Sequence, residues 1–309
     1  MSTLTGKHVL RTDLLSNEEL ELIFSTASRF ENALRSGARL TNMEGQVLAT
    51  LFFEPSTRTR LSFETAMLRL GGQVISMADP KASSTAKGES LADSVRTVAG
   101  YADVIVIRHP QKGAAQEAAD AVAVPVINAG DGTGQHPTQA LLDVYTLRKE
   151  KGSLHGLSMA LVGDLKNGRT VHSLVYLLAR FGVRLLFVSP RGLEMPPELN
   201  AELKKLGSDV SEGRDLAAAM RESDIVYVTR IQRERFDDPA EYDRLKGSYV
   251  LDMDMIRQAK PGITIMHPLP RVDEIAREVD AYQGAAYFRQ AANGVPIRMA
   301  LLALVTGRE

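Results

Sequence analysis

The residues best suited to chemistry form a short polar turn after an apolar stretch. Residues 47–53 read VLATLFF, and five residues with a proline, hydroxyls and an arginine follow shortly after: Pro55, Ser56, Thr57, Arg58 and Thr59. Hydroxyls and the free N–H groups of a helix start can donate to an anion, and an arginine fork matches phosphate oxygens. The turn therefore predicts an anion site at a helix N-terminus, although a capped helix with solvent-facing arginines is the open alternative.

Three more polar groups follow apolar stretches in the first half. Arg108 follows DVIVI, His136 and Gln139 follow a glycine-rich turn, and Lys87 lies in the polar loop that includes Ser83. Each has an ordinary explanation as a solvated arginine, a turn or a surface lysine. Together they would bring two arginines, a histidine and hydroxyls to one sheet edge, which favours a small phosphorylated ligand.

The second half carries its own candidates for binding an anion. Arg169 lies in GDLKNGRTVHS, and Arg230 and Gln232 follow IVYVT. Arginines at two strand ends predict a carboxylate ligand. The segment GDLKNGRT lacks the P-loop lysine, and GxGxxG does not occur, so neither nucleotide motif is supported.

A further segment, HPLP at 267–270, has two prolines whose rigid backbone could present carbonyl oxygens to a ligand. A simple loop is the alternative.

The elements that must position these groups alternate between helix and strand. Ser16 and Glu19 form a capping-box pattern before the first helix. We predict strands in the first half at 46–53, 73–77, 103–107 and 124–128, with helices near 57–70, 89–100 and 137–150. In the second half we predict strands at 157–163, 184–189, 224–229, 248–253 and 263–267, with helices between them, and a C-terminal helix. Such alternation indicates an α/β fold of two domains, each a parallel sheet flanked by helices.

Composition limits the function classes. The chain has 309 residues, 44% hydrophobic and 24% charged, with a formal net charge of -1. The length favours two domains, and the charge gives no global signal for nucleic acid or a membrane surface. No cysteine is present, and the six histidines lack metal-binding spacing, so we expect no metal and no cofactor. No apolar stretch predicts a signal peptide or a membrane span, and we expect a cytoplasmic protein.

Seven motifs, in order over nearly the whole length, resemble the aspartate carbamoyltransferase family, catalytic chain: FEPSTRTR, KGES, RHP, HPTQ, GDLKNGRTVHS, TRIQRER and HPLPRVDE. STRT is common to carbamoyltransferases, whereas ornithine enzymes typically show HCLP and an SMG loop where this chain has HPLP and RIQ. The resemblance implies transfer of a carbamoyl group from carbamoyl phosphate to L-aspartate in pyrimidine biosynthesis. It implies a carbamoyl-phosphate domain at 1–150, an aspartate domain at 151–289, and a last helix at about 290–309 that packs on the first domain.

The resemblance also implies site residues. Those expected to bind carbamoyl phosphate are Ser56, Thr57, Arg58, Thr59, Ser83, Lys87, Arg108, His136 and Gln139. Those expected to bind aspartate are Arg169, Arg230, Gln232, Pro268 and Leu269. Arg58, Thr59, Lys87, Arg108 and His136 would be catalytic. Ser83 and Lys87 would enter from a neighbouring subunit, which implies a homotrimer.

Several points stay open at the sequence level. Glu54 could pair with Arg169 or Arg235 and hold the domains, or could simply be exposed. Regulatory chains could bind. A carbamoyltransferase for another amine and a non-catalytic homologue are the rival functions, although the second should lack groups such as Arg58 that are present here.

Overall fold

Both series of alternating elements form parallel sheets in the computed structural model, which describes residues 4–77, 88–233, 236 and 238–309. Contacts divide the chain into two units. Unit 1 comprises Met1–Tyr145 with Asn293–Glu309, and unit 2 comprises Thr146–Ala292. The predicted fold class is confirmed.

Unit 1 has a four-stranded parallel sheet flanked by helices. Its elements are α1 (Asn17–Arg35), β1 (Val47–Phe52), α2 (Thr57–Arg69), β2 (Gln73–Met77), α3 (Leu91–Ala99), β3 (Val104–His109), α4 (Ala114–Ala121), β4 (Val126–Asp131) and the start of α5 (Pro137–Lys151). The strand order is β2-β1-β3-β4. The strands β1, β3 and β4 are almost entirely buried, which explains their continuous apolar runs.

Unit 2 has a five-stranded parallel sheet in the order β7-β6-β5-β8-β9. Its elements are β5 (Ser158–Val162), α6 (Arg169–Arg180), β6 (Arg184–Val188), α7 (Pro197–Lys205), β7 (Val210–Gly213), α8 (Leu216–Glu222), β8 (Ile225–Val228), α9 (Pro239–Leu245), α10 (Met253–Gln258), β9 (Thr264–Met266), a 3-10 helix (Arg277–Ala281) and the start of α11 (Tyr287–Thr306). Its core packs apolar residues of β5, β8 and β9 against α8 and α10.

The first helix begins as its sequence predicts. The Ser16 hydroxyl accepts from the Glu19 N–H at 3.2 Å, and Glu19 Oε2 accepts from the Ser16 N–H at 2.8 Å. This reciprocal pair satisfies two N–H groups that the helix itself leaves open.

The predicted strand at 248–253 is wrong. Leu251 makes only an isolated bridge with Ile275, and the Asp252 carboxylate accepts from the Met255 N–H at 2.9 Å and thereby starts α10. An aspartate cap therefore overrides the apolar pattern. The elements without a prediction include α4, β7 and the 3-10 helix: α4 and the 3-10 helix are short, and β7 is an exposed edge strand with one large apolar residue.

Candidate active site

The predicted anion turn lies at the start of α2, directly after β1. Ser56 is the N-cap residue in an extended conformation, and its hydroxyl makes no capping hydrogen bond. Thr59 is buried, whereas Thr57 and Arg58 are exposed. The helix start therefore presents N–H groups, hydroxyls and a guanidinium to a ligand at the carboxyl edge of the sheet.

Arg108 lies in the adjacent strand, at the same edge. It pairs in register with Phe52 and is only 8% exposed. Its Nη1 donates to the Ala129 carbonyl at 3.2 Å, and its Nη2 donates to the Glu54 carboxylate. Glu54 thus holds the guanidinium in place, a partner that sequence reasoning did not consider when it named Arg169 and Arg235. A buried cation held on two sides is suited to stabilise negative charge on a substrate.

The glycine-rich turn after β4 is fixed by two buried polar residues. Asp131 accepts from the Gly113 and Gln135 N–H groups at 2.8 and 2.7 Å and from the Asn128 amide at 3.1 Å. Gly132 has a φ of +54°, and a Cβ there would lie 2.4 Å from the Pro110 carbonyl oxygen. Only glycine fits this close approach, so the turn leads to His136 along a fixed path.

His136 immediately precedes α5 and is buried. Its carbonyl accepts from the N–H groups of Gln139 and Ala140 at 3.0 and 3.3 Å. Gln139 is also buried, and its side-chain amide donates to Asp143 at 2.9 Å, which orients the amide. Both predicted residues therefore lie at the same edge as Arg108 and the α2 turn.

A buried arginine lies behind this helix. The Arg298 guanidinium stacks 4.9 Å from the Phe63 ring centre, and its Nη2 donates to the Thr138 hydroxyl at 3.4 Å. Burial, opposed by the nearby Asp143 carboxylate, lowers the pKa of Arg298 to about 9. Arg298 thus packs beneath the first turn of α5 and supports it from within unit 1.

Ser83 and Lys87 lie outside the described residues. They follow β2, whose carboxyl end is at the same sheet edge as the ends of β1, β3 and β4. Their assignment stays a prediction.

In unit 2 the predicted residues follow three adjacent strands, β5, β8 and β9. Arg169 is the first residue of α6 after β5, Arg230 and Gln232 follow β8, and Pro268 and Leu269 follow β9. Because parallel strands share a carboxyl edge, all five belong to one edge of the sheet. The Gln232 amide donates to the Asn167 carbonyl at 3.3 Å, which joins the loops after β5 and β8.

The loop that carries Arg169 is organised by a buried carboxylate. Asp164 is fully buried and accepts from the Asn167 N–H at 3.0 Å and from its amide at 3.2 Å. Burial raises the pKa of Asp164, while hydrogen bonds from Asn167 and Gln232 oppose the shift. Gly163, with a φ of +113°, brings this loop so close to the Thr229 carbonyl that a Cβ would lie 2.2 Å from the oxygen.

Several residues that shape the site were not predicted. Asn128, Asp131, Asp164 and Glu274 were not singled out from the sequence, although a polar residue next to a buried strand end is a signal that could have found most of them.

Among the residues that the structure describes, no cluster of three or more histidine, aspartate and glutamate side chains could hold a metal ion. Within the same residues, no helix is both long and apolar enough to cross a bilayer.

Both halves of the chain match models of one family. Residues 7–149 match "Aspartate/ornithine carbamoyltransferase, carbamoyl-P binding domain", and residues 155–305 match "Aspartate/ornithine carbamoyltransferase, Asp/Orn binding domain". These two matches cover more than half of the chain and show the family.

Relatives and solved structures narrow the family. The aspartate carbamoyltransferase catalytic subunit of Methanopyrus kandleri is 53% identical over 308 residues, 99% of each chain. The catalytic subunit of the M. jannaschii aspartate transcarbamoylase superimposes with a TM-score of 0.89 at 50% identity, covering 96% of this chain and 97% of that one. The Trypanosoma cruzi aspartate transcarbamoylase in complex with carbamoyl phosphate and aspartate superimposes with a TM-score of 0.94 at 41% identity, covering 98% of this chain and 98% of that one. The chain therefore belongs to the aspartate/ornithine carbamoyltransferase family, among the aspartate carbamoyltransferase catalytic subunits.

Proposed function

We propose that the carboxyl edge of the unit 1 sheet binds carbamoyl phosphate and that the carboxyl edge of the unit 2 sheet binds L-aspartate. The chain transfers the carbamoyl group of carbamoyl phosphate to the amino group of L-aspartate, giving N-carbamoyl-L-aspartate and phosphate in de novo pyrimidine biosynthesis. One observation supports the assignment of carbamoyl phosphate to unit 1: Thr59, Arg108 and His136 are all buried at one sheet edge, beside the start of α2. Buried hydrogen-bond donors are suited to a small phosphorylated ligand, and the sequence contains neither nucleotide-binding motif.

The reaction needs charge stabilisation rather than a covalent intermediate. The aspartate amine lone pair forms the new N–C bond, the C–O bond to phosphate breaks, and phosphate leaves with that electron pair. Negative charge develops on the carbamoyl oxygen, which Thr59, Arg108 and His136 stabilise by hydrogen bonds. Arg58 neutralises the leaving phosphate together with Ser56 and Thr57, and the departing phosphate accepts the amine proton.

The second substrate has two carboxylates and one nucleophilic amine. Arg169, Arg230 and Gln232 hold the carboxylates, since bidentate arginine matches carboxylate geometry. The carbonyls of Pro268 and Leu269 accept from the amine N–H groups and aim its lone pair. Orientation of two bound reactants supplies much of the rate.

Product analysis tests this function against its two rivals. Purified protein is incubated with carbamoyl phosphate and either L-aspartate or L-ornithine, and the products are separated. Carbamoyl aspartate alone is expected. Citrulline alone would show the related activity on another amine, and no product from a folded protein would favour a non-catalytic homologue.

We also propose that the chain forms a homotrimer in which Ser83 and Lys87 complete the site of a neighbour. The edge strand β2 supports a contact between copies, because its apolar side chain Ile75 is 41% exposed and Leu61 and Leu68 on α2 are 48% and 62% exposed. Sedimentation should give a trimer, and Ile75→Lys should shift it toward monomers. Sedimentation of the unsubstituted chain as a monomer would refute the proposal.

Two further assignments complete the proposal. Regulatory chains are possible partners, and co-purification from the native source tests for them. A cytoplasmic location follows the expectation from sequence, and cell fractionation tests it.

A further inference from the structure

The loop after β9 contains a buried histidine and a buried glutamate that the reaction does not use. His267 is 1% exposed and Glu274 is 6% exposed, and His267 Nε2 lies 2.6 Å from Glu274 Oε1. Between them, Pro268 and Leu269 are the residues whose carbonyls are assigned to the aspartate amine. The pair therefore spans the base of a substrate-binding loop.

The hydrogen bonds of the His267 ring show which of its two nitrogens carries the proton. The Leu269 N–H donates to His267 Nδ1 at 2.8 Å, so Nδ1 is an acceptor and the ring proton is on Nε2. Nε2–H consequently donates to Glu274. The His267 N–H donates to the Gln290 side-chain oxygen at 2.9 Å, which fixes the backbone at the same point.

Glu274 closes the far end of the loop. Its Oε2 accepts from the Val272 and Asp273 N–H groups at 3.1 and 3.2 Å, and its carbonyl accepts from the Leu251 N–H at 3.0 Å. Burial opposes ionisation, but the bond from His267 and the backbone donors hold the pKa of Glu274 below its usual value. One carboxylate thus ties both ends of the loop together.

Leu269 is held in a conformation that leucine rarely adopts. Its φ is +56°, and among the described residues it is the one non-glycine residue with a positive φ. Such a residue persists only when its surroundings hold it. The bond from its N–H to His267 is one contact that does so, and it fixes the peptide plane that carries the Pro268 carbonyl, directly before Leu269.

We propose that His267 and Glu274 form a positioning pair that fixes the Pro268 and Leu269 carbonyls for the amine of L-aspartate. The inference rests on the proposed function of this edge of unit 2. The pair itself contacts no reacting atom; it acts through the loop backbone.

Two substitutions at His267 separate the two hydrogen bonds of its ring, one with Leu269 and one with Glu274. The side-chain oxygen of His267→Asn lies near the position of Nδ1, so it can still accept from Leu269 but cannot reach Glu274. The amide of His267→Gln can reach Glu274 but leaves the Leu269 N–H without its acceptor. We expect His267→Gln to lower kcat about tenfold or more and to raise KM for aspartate, with His267→Asn clearly more active. The dissociation constant of carbamoyl phosphate should not change in either variant.

Controls separate positioning from loss of stability. Tyr282→Phe removes a hydrogen bond of 3.0 Å to the Ile263 carbonyl, before β9 rather than after it, and should lower Tm without changing kcat. Glu274→Gln replaces an acceptor of N–H groups by a partial donor and should repeat the rise in KM for aspartate. If the His267 variants do not fold, Glu274→Gln decides the question by the same readout.

Different results would contradict the positioning pair and the proposed aspartate site. Wild-type kinetics in His267→Gln, equal losses in both His267 variants, or a change in carbamoyl phosphate binding would overturn the positioning pair. An Arg230→Ala variant with unchanged KM for aspartate would instead overturn the aspartate site itself. Loss in Arg230→Ala with unchanged His267 variants would refute the pair alone.

Discussion

Two arginines of unit 1 have different surroundings, which suit them to the different roles proposed for them. Arg108 is buried between Glu54 and the Ala129 carbonyl, whereas Arg58 is exposed at the start of α2. A fixed cation is suited to a carbonyl oxygen that gains charge during reaction, and a more accessible one to a phosphate that must leave. The residue types alone do not make this distinction.

The first prediction concerns Arg58. In Arg58→Ala we expect kcat to fall by about three orders of magnitude with the fold intact, because a contact to developing charge is lost. Steady-state kinetics and circular dichroism measure the two quantities. Arg35→Ala, which removes an exposed ion pair with Glu31, is the control and should keep full turnover. Near-normal turnover in Arg58→Ala would refute its role.

The second prediction concerns pH and Glu274. Because its folded pKa lies below the unfolded value, its contribution to stability is complete above pH 4.5 and is lost as pH falls through the lower folded pKa. At pH 7, Glu274→Gln should lower the free energy of unfolding by about 1–3 kcal/mol. Urea unfolding of both proteins at pH 7 and at pH 3.5 tests this. The difference should shrink in acid, and a constant difference would contradict the assigned cause.

At the scale of elements, each of the two proposed binding edges is built from strand ends and the turns that follow them. The sheet sets which ends are neighbours, and buried side chains such as Asp131 and Asp164 set the path of each turn. Site residues on fixed turns lose little entropy when a ligand binds.

The third prediction concerns the turn before α5. Gly132→Ala adds a Cβ that would lie 2.4 Å from the Pro110 oxygen, so the turn must shift and His136 with it. Gly37→Ala is the matched control, because Gly37 also has a positive φ but no atom near a Cβ. Thermal unfolding and kcat are measured for both variants. Both should lose about 1 kcal/mol of stability from backbone strain, and only Gly132→Ala should lose more and also lose turnover. Equal behaviour of the two variants would show that the turn tolerates the shift.

At the scale of the whole molecule, the proposed trimer makes each site depend on two chains. Arg58 would come from one subunit, and Lys87, outside the described residues, from its neighbour. Two variants that each lack one of these residues could therefore restore a complete site in a mixed trimer, which a site within a single chain would not allow.

The fourth prediction is complementation between two inactive variants. Arg58→Ala and Lys87→Ala are each expected to be almost inactive. When they are mixed, dissociated and reassembled in equal amounts, about a quarter of the sites should contain both native residues, because each is supplied with a probability of one half. The activity of the mixture is compared with the two separate proteins taken through the same steps. No gain over the separate proteins would refute shared sites.

The sequence predicted the fold class and most elements because local patterns decide them. The capping box of Ser16 and Glu19, and the apolar strands of unit 1 bounded by turn residues, are short-range signals that tertiary contacts did not override. The prediction of a strand at 248–253 was wrong because the helix cap formed by Asp252 outweighed a short apolar run. The motifs around Arg58 and Arg108 also indicated the family before any geometry was known.

The tertiary structure alone decided how these groups are held. The bond between Arg108 and Glu54 joins residues 54 positions apart, and the Asn128 amide bonds to the Leu10 carbonyl, 118 positions away. No local pattern encodes such pairs, because they exist only once the strands are ordered in the sheet. The sequence by itself determined which chemistry this protein carries. The fold decided which residues orient it, since burial and direction depend on neighbours that are distant in the chain.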